Sequence, residues 1–188
     1  MLRESRPGYE RHSVFVQHAI KHFGFNGAEL LGMRDAQSLQ DLGQIALDHI
    51  KGLGHFCTGI GPMTTGTNRT QDQNFEIFLQ VYMRVAAGAL LGPRSVFFQL
   101  PFEFDIGRIA EEYYDRDSRP EEFYKDLFRY FYGPIMLHEK LTVVWRMPEW
   151  EKSIGAREEF RILSQERSSP VTFHDALQYV PDLQKLLV

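Results

Sequence analysis

A single cysteine, Cys57, stands in a chain of 188 residues. That excludes an internal disulfide framework and fits a reducing, cytoplasmic setting. Its place in an apolar run marks it as a small core residue and not a nucleophile. Basic runs and stripes are missing as well. The chain sets 21 Lys and Arg against 25 Asp and Glu, a formal net charge of -4, so it offers no electrostatic footprint for a nucleic acid polymer or an anionic membrane. No apolar stretch approaches the length of a membrane span, and the charged opening stretch from Met1 to Ser13 lacks an apolar signal segment. Internal repeats and low-complexity tracts are also missing. The expectation is a cytoplasmic globular protein with no membrane partner.

What is present is apolar and aromatic: 43% of residues are hydrophobic and 13% aromatic, enough to bury a substantial core. Residues 1–54 read as a helical extension. Ser13 caps a helix through Phe23, ended by Gly24, and an amphipathic helix from Ala36 to Lys51 turns Leu39, Leu42, Ile45, Ala46, His49 and Ile50 to one face. These helices are expected to pack on the main domain or on a second subunit. His18 and His22 are spaced to share a metal but lack the Glu of a zinc-protease helix and a third ligand, so no metal is expected there.

From His55 the pattern alternates strand and helix. Phe56 to Ile60 is a strand ending in a Gly- and Thr-rich loop, and Gln71 to Leu91 is a long helix. Ser95 to Leu100 is the next strand, broken by Pro101; Ile106 to Tyr114 and Pro120 to Tyr132 are helical; Leu141 to Trp145 is a buried strand; Val171 to Phe173 is the last. The fold class is therefore α/β over residues 55–188, a flavodoxin- or Rossmann-like parallel sheet sandwiched by helices. Ligands of such sheets sit outside the carboxyl ends of the strands.

The central stretch is the strand, loop and helix ending at Glu166. Ser153 is a good N-cap. At about 100° per residue, with Ala156 at zero, Glu159 falls near 300° between Ile162 and Leu163, whereas Glu158 falls near 200° at the edge of the apolar arc. Glu159 therefore points inward. A carboxylate there is costly to bury without a task or a partner, and both readings stay open: a cap or ion pair for a neighbouring group, or a functional acid. The loop after the first strand brings Gly59, Gly61, Gly66, Thr64, Thr65 and Arg69 to the same sheet edge, a set suited to a phosphate or sugar. It is not a dinucleotide fingerprint, because Thr64 occupies the third glycine position. An ordinary connecting loop is the simpler reading.

Two motifs carry a family resemblance. G-P-M-T-T-G-(x)5-D-Q-N-x-x-x-F from Gly61 to Phe78 and S-I-G-A-R-E-E from Ser153 to Glu159 resemble the nucleoside 2-deoxyribosyltransferase superfamily, nearest to its nucleoside 5′-monophosphate N-glycosidases, the deoxynucleotide N-hydrolases and hydroxymethylcytidylate hydrolases. The resemblance spans roughly residues 55–175. It implies an N-glycosidase that cleaves the base-ribosyl bond of a nucleoside 5′-monophosphate, with Glu159 as nucleophile on the anomeric carbon and no metal or organic cofactor. It implies that Ser153, Gly155 and the helix N-terminus hold the 5′-phosphate beside Arg157, approached by Met63, Thr64, Thr65 or Arg69 of the glycine loop between Gly61 and Gly66. Asp72 and Asn74 would fix sugar hydroxyls or a water, and Trp145 or Trp150 would stack on the base. It also implies a homodimer. Where relatives carry an Asp at the strand before the catalytic loop, this chain has Leu141-Thr142, and Pro148 to Lys152 lengthen that loop. Asp72 or Glu139 takes the missing part, or the substrate has changed, or catalysis is lost. The alternatives are base transfer as in a nucleoside deoxyribosyltransferase, a non-catalytic nucleotide sensor on the same fold, and a partner-binding protein working through its N-terminal helices.

Overall fold

The computed structural model describes residues 9–63, 67–88, 95–114 and 119–187. Helices α1 (Tyr9–Phe23), α2 (Gly27–Asp35) and α3 (Leu39–Gly52) precede strand β1 (Phe56–Ile60). Helices α4 (Gln71–Ala87), α5 (Leu100–Tyr113) and α6 (Arg119–Asp126) follow, then a π-helix (Leu127–Tyr132), α7 (Gly133–Met136), β2 (Leu141–Arg146), α8 (Ile154–Gln165), β3 (Thr172–Asp175) and α9 (Ala176–Tyr179). The protein is mixed α/β, with a parallel sheet in the order β1-β2-β3 flanked by helices. No described helix is long and apolar enough to cross a membrane.

The strand expected from Ser95 to Leu100 is reduced to one parallel bridge, Val96 to Cys57, with the Phe97 amide donating to the Cys57 carbonyl at 2.9 Å. Pro101 explains the difference: it sits in the first turn of α5, where a missing N–H costs nothing, so the helix begins six residues before the expected Ile106. The bridge still has a topological consequence. The chain goes from β1 to Val96 on one side and returns to β2 on the other, so the connections diverge at the carboxyl end of β1. Ligand clefts form at such a switch point.

The N-terminal helices share one hydrophobic core with the sheet. Phe23 stacks on Phe98 at 4.2 Å between centroids, and Phe15 meets Phe75 and Phe104. Helix α2, not distinguished in the sequence, starts from an Asn26 capping box closed by Glu29. Its far end is fastened by Arg108 of α5, which donates to the carbonyls of Met33 and Ala36. Helix α3 packs against the π-helix so closely that a Cβ on Gly43 would lie 1.9 Å from the Tyr130 carbonyl oxygen. The side chain at 43 is excluded by that approach.

Candidate functional site

Helix α8 is built as its sequence dictates. The Ser153 hydroxyl accepts from the Ala156 amide, closing the first turn, and Ala156, Glu159, Ile162 and Leu163 are buried. Glu159 is only 5% exposed, as the helical spacing requires. Glu158, the outward neighbour, pairs with Arg161 at 2.7 Å.

Glu159, Ser153 and Gly155 open onto a cavity of about 450 Å³ outside the carboxyl ends of the strands. Gly61 and Met63 reach it from the end of β1, Gln99 and Glu103 from the start of α5, and Tyr132 from the last position of the π-helix. Ile106, Leu127, Phe123, Tyr124 and Phe128 make much of the wall apolar and aromatic. Such a wall can hold a flat ring, while the few polar groups orient it.

Among the described lining residues the charged side chains are two carboxyls, Glu159 and Glu103. Burial, and then the neighbouring Glu103, push Glu159 well above the ordinary carboxyl range. Burial lifts Glu103 to about 7, opposed by a hydrogen bond from the Tyr132 hydroxyl. The two environments differ. Glu103 stands in the first turn of α5 and accepts from a phenol, both of which favour its ionised form. Two carboxyls that line one cavity, each pushed above its ordinary range, are suited to act as an acid and base pair.

The opposite wall is set by a short polar chain. The Gly59 amide donates to the Tyr82 hydroxyl at 3.0 Å, and the Thr58 hydroxyl donates to Gln99 Oε1 at 2.8 Å. With its oxygen engaged in the core, the Gln99 amide nitrogen is the end left for the cavity side. Gly59 and Gly61 serve packing here: a Cβ on either would fall 2.4 or 2.5 Å from Met147. At both glycines the space a Cβ would need is filled by this methionine, and Gly61 still lines the cavity.

Several residues singled out in the sequence lie elsewhere. Arg69 is 8% exposed in its side chain and engaged with Glu149, the Pro148 carbonyl and, at 2.9 Å, Asn74 Oδ1. Asn74 in turn donates to the Met63 carbonyl at 3.3 Å. Glu149, whose backbone is left-handed at φ 62°, also pairs with Lys152. The loop between β2 and α8 therefore captures Arg69 through Pro148 and Glu149 and is tied to the loop after β1. Arg157 is exposed and donates to the Glu151 carbonyl at 2.7 Å. Trp145 is buried beside His174 and Tyr179, with centroids at 5.0 and 4.8 Å, and Trp150 packs on Phe160. Asp72 is exposed on the first turn of α4, and Glu139 is exposed before β2, at the end of the strand opposite the cavity. Thr64, Thr65 and Gly66 lie outside the described residues. Cys57 is buried, its thiol pushed up to about 12, which suits a core residue.

Glu103, Tyr132 and Gln99 were missed in the sequence. A usable signal existed for Glu103: Pro101 marks a helix start after an apolar run, which places an acid at the fourth helical position on the carboxyl edge of the sheet. Tyr132 gives no such signal, because its direction depends on the π-helix. Compared with known proteins, the chain matches no family model, no curated protein and no solved structure.

Proposed function

We propose that the protein is an N-glycosidase that cleaves the bond between base and sugar in a nucleoside 5′-monophosphate or nucleoside, with Glu159 as nucleophile. The observation that carries this reading is a buried glutamate beside a capped helix N-terminus, opening into an aromatic cavity at the switch point of a parallel sheet. The Val96, β1, β2, β3 order supports a flavodoxin-like arrangement. The base lies against the Phe123, Tyr124 and Phe128 side of the cavity, and the sugar lies over Glu159. The first amides of α8, near Ser153 and Gly155, receive the 5′-phosphate.

A carboxylate suits the anomeric carbon because the transition state carries oxocarbenium charge. In a pocket with little water that charge is stabilised by an adjacent anion far more than in solvent. As nucleophile Glu159 reacts in its ionised form, so the reactive form of the pair is the one whose proton resides on Glu103.

The test is incubation of the purified protein with a panel of ribo- and deoxyribonucleosides and their monophosphates, reading free base by chromatography. Wild-type release that disappears in Glu159→Gln supports the reading, and undiminished release from that variant rejects it. Added free base separates hydrolysis from transfer, since a new nucleoside appears only if the second base is the acceptor.

A further inference from the structure

We infer that Glu103 is the proton carrier of this site, donating to the departing base and then accepting from the attacking water, with Tyr132 as the positioning residue that fixes its carboxyl; the inference rests on the N-glycosidase reading above. Leu141-Thr142 leaves no acid at the start of β2, and neither Asp72 nor Glu139 lines the cavity. Glu103 does. It comes from a different helix than Glu159 and reaches the cavity from the neighbouring strand end, so one carboxyl can work on the sugar and the other on the base. Tyr132 donates its phenolic hydrogen to Glu103 Oε1, which leaves Oε2 as the oxygen free to carry a proton toward the ligand.

The π-helix is what makes this contact. One extra residue per turn over Leu127 to Tyr132 turns Leu127, Phe131 and Tyr132 inward together, and π segments recur at functional sites for this reason. Gly43 and Gly133 fit the backbone around it: a Cβ at either would strike the carbonyl of Tyr130 or Phe128 at 1.9 or 2.3 Å. The segment that aims Tyr132 is thus held by the N-terminal helices as well as by the α/β part.

The step balances. A Glu159 oxygen forms a bond to the anomeric carbon while the bond from that carbon to the base nitrogen breaks, and its electron pair leaves with the base. Glu103 gives its proton to the base, which departs neutral. Water then attacks the anomeric carbon and gives its proton to the Glu103 carboxylate, and the ester bond to Glu159 breaks with its electrons returning to that carboxylate. Free sugar or sugar phosphate leaves, and both groups regain their starting states.

The discriminating experiment compares two leaving groups: the base of whichever substrate the wild type cleaves, and 4-nitrophenolate on the same sugar, which departs without a proton. In kcat/KM, which reports the steps up to departure of the leaving group, Glu103→Gln is expected to lose about 10²- to 10⁴-fold on the natural base and to stay within about tenfold of wild type on the nitrophenyl substrate, while hydrolysis of the enzyme-bound sugar is slowed with both. Glu159→Gln loses both. Equal loss of kcat/KM on both substrates in Glu103→Gln, or no loss on either, overturns the proton-carrier role while leaving Glu159 in place. Wild-type inactivity on every substrate overturns the N-glycosidase reading and this role with it. Tyr132→Phe keeps the ring and removes the donor. Among the described residues the ionisable groups that share the cavity with Glu103 are Glu159 from α8, Tyr132 from the π-helix and Tyr124 from α6, of which Tyr132 bonds to it directly. The pH limb of kcat/KM that reports Glu103 therefore moves upward in this variant, and an unmoved limb rejects the positioning role.

Discussion

The Tyr132 hydroxyl donates to Glu103 across 29 residues of chain, and the carboxyl so held shares a cavity with Glu159 of α8. Two acids from separate helices thus meet in one apolar pocket that is walled mainly by uncharged side chains among the described residues. A fold gains no stability from such a pair. Its cost points to a task at the site and yields consequences that can be measured in the unliganded protein.

The first concerns pH. Glu103 is lifted from 4.5 to about 7, and Glu159 lies well above its ordinary value. Between pH 4.5 and 7 the folded protein keeps protons that the unfolded chain releases, so stability is complete below about 4.5 and falls as pH rises. For Glu103 alone the loss is up to about 3 kcal/mol by pH 7, and Glu159 extends the decline to higher pH. Denaturant midpoints measured from pH 4.5 to 9 should fall in the wild type and flatten in the Glu103→Gln, Glu159→Gln double variant. A wild-type profile as flat as that of the double variant refutes the raised pair.

Single replacement at the helix acid should separate stability from activity. Glu159→Gln removes a carboxyl that burial disfavours and is expected to raise stability at pH 8 by about 1–3 kcal/mol while abolishing base release. Thermal unfolding beside the release assay reads both. A variant that is destabilised and still active contradicts the assignment.

Arg69 and Glu149 form a part-buried ion pair between two loops, 80 residues apart in sequence. Arg69→Met leaves Glu149 without this partner and should cost about 1–3 kcal/mol. A double-mutant cycle with Glu149→Gln should show coupling of at least about 1 kcal/mol. Additive effects would show that the pair does not tie the loops.

Gly43→Ala inserts a Cβ where the Tyr130 carbonyl stands at 1.9 Å. Because the obstacle is backbone, the expected cost is at the upper end of overpacking, about 3 kcal/mol. The π-helix should shift with it, lowering activity through Tyr132. An unchanged unfolding midpoint would mean that α3 does not press on that segment.

Much of the site was legible where local rules decide the outcome. The inward turn of Glu159 follows from helical spacing, the start of α8 from Ser153, and β2 from a β-branched apolar run. The miss at Ser95 to Leu100 came from treating Pro101 as a strand breaker when it is also a helix starter. Helix α2 was hidden in a short segment whose capping box, Asn26 with Glu29, is a stronger signal than its periodicity. Arg69 reads in the sequence as a ligand residue because its partner, Glu149, lies in the loop after β2 and no local pattern links the two. Tyr132 depends on a six-residue π-helix, whose extra residue per turn rotates the side chains away from the α-helical spacing.

The central claim is that Glu159 attacks the sugar, and the most direct measurement is intact and peptide mass spectrometry after reaction with a 2-fluoro-2-deoxy analogue of the cleaved substrate. The fluorine destabilises the oxocarbenium-like transition state and slows release of the enzyme-bound sugar. The account predicts one sugar or sugar phosphate adduct per chain on the peptide containing Glu159, lost in Glu159→Gln. An adduct on any other residue, or steady turnover of the analogue with none, would contradict it.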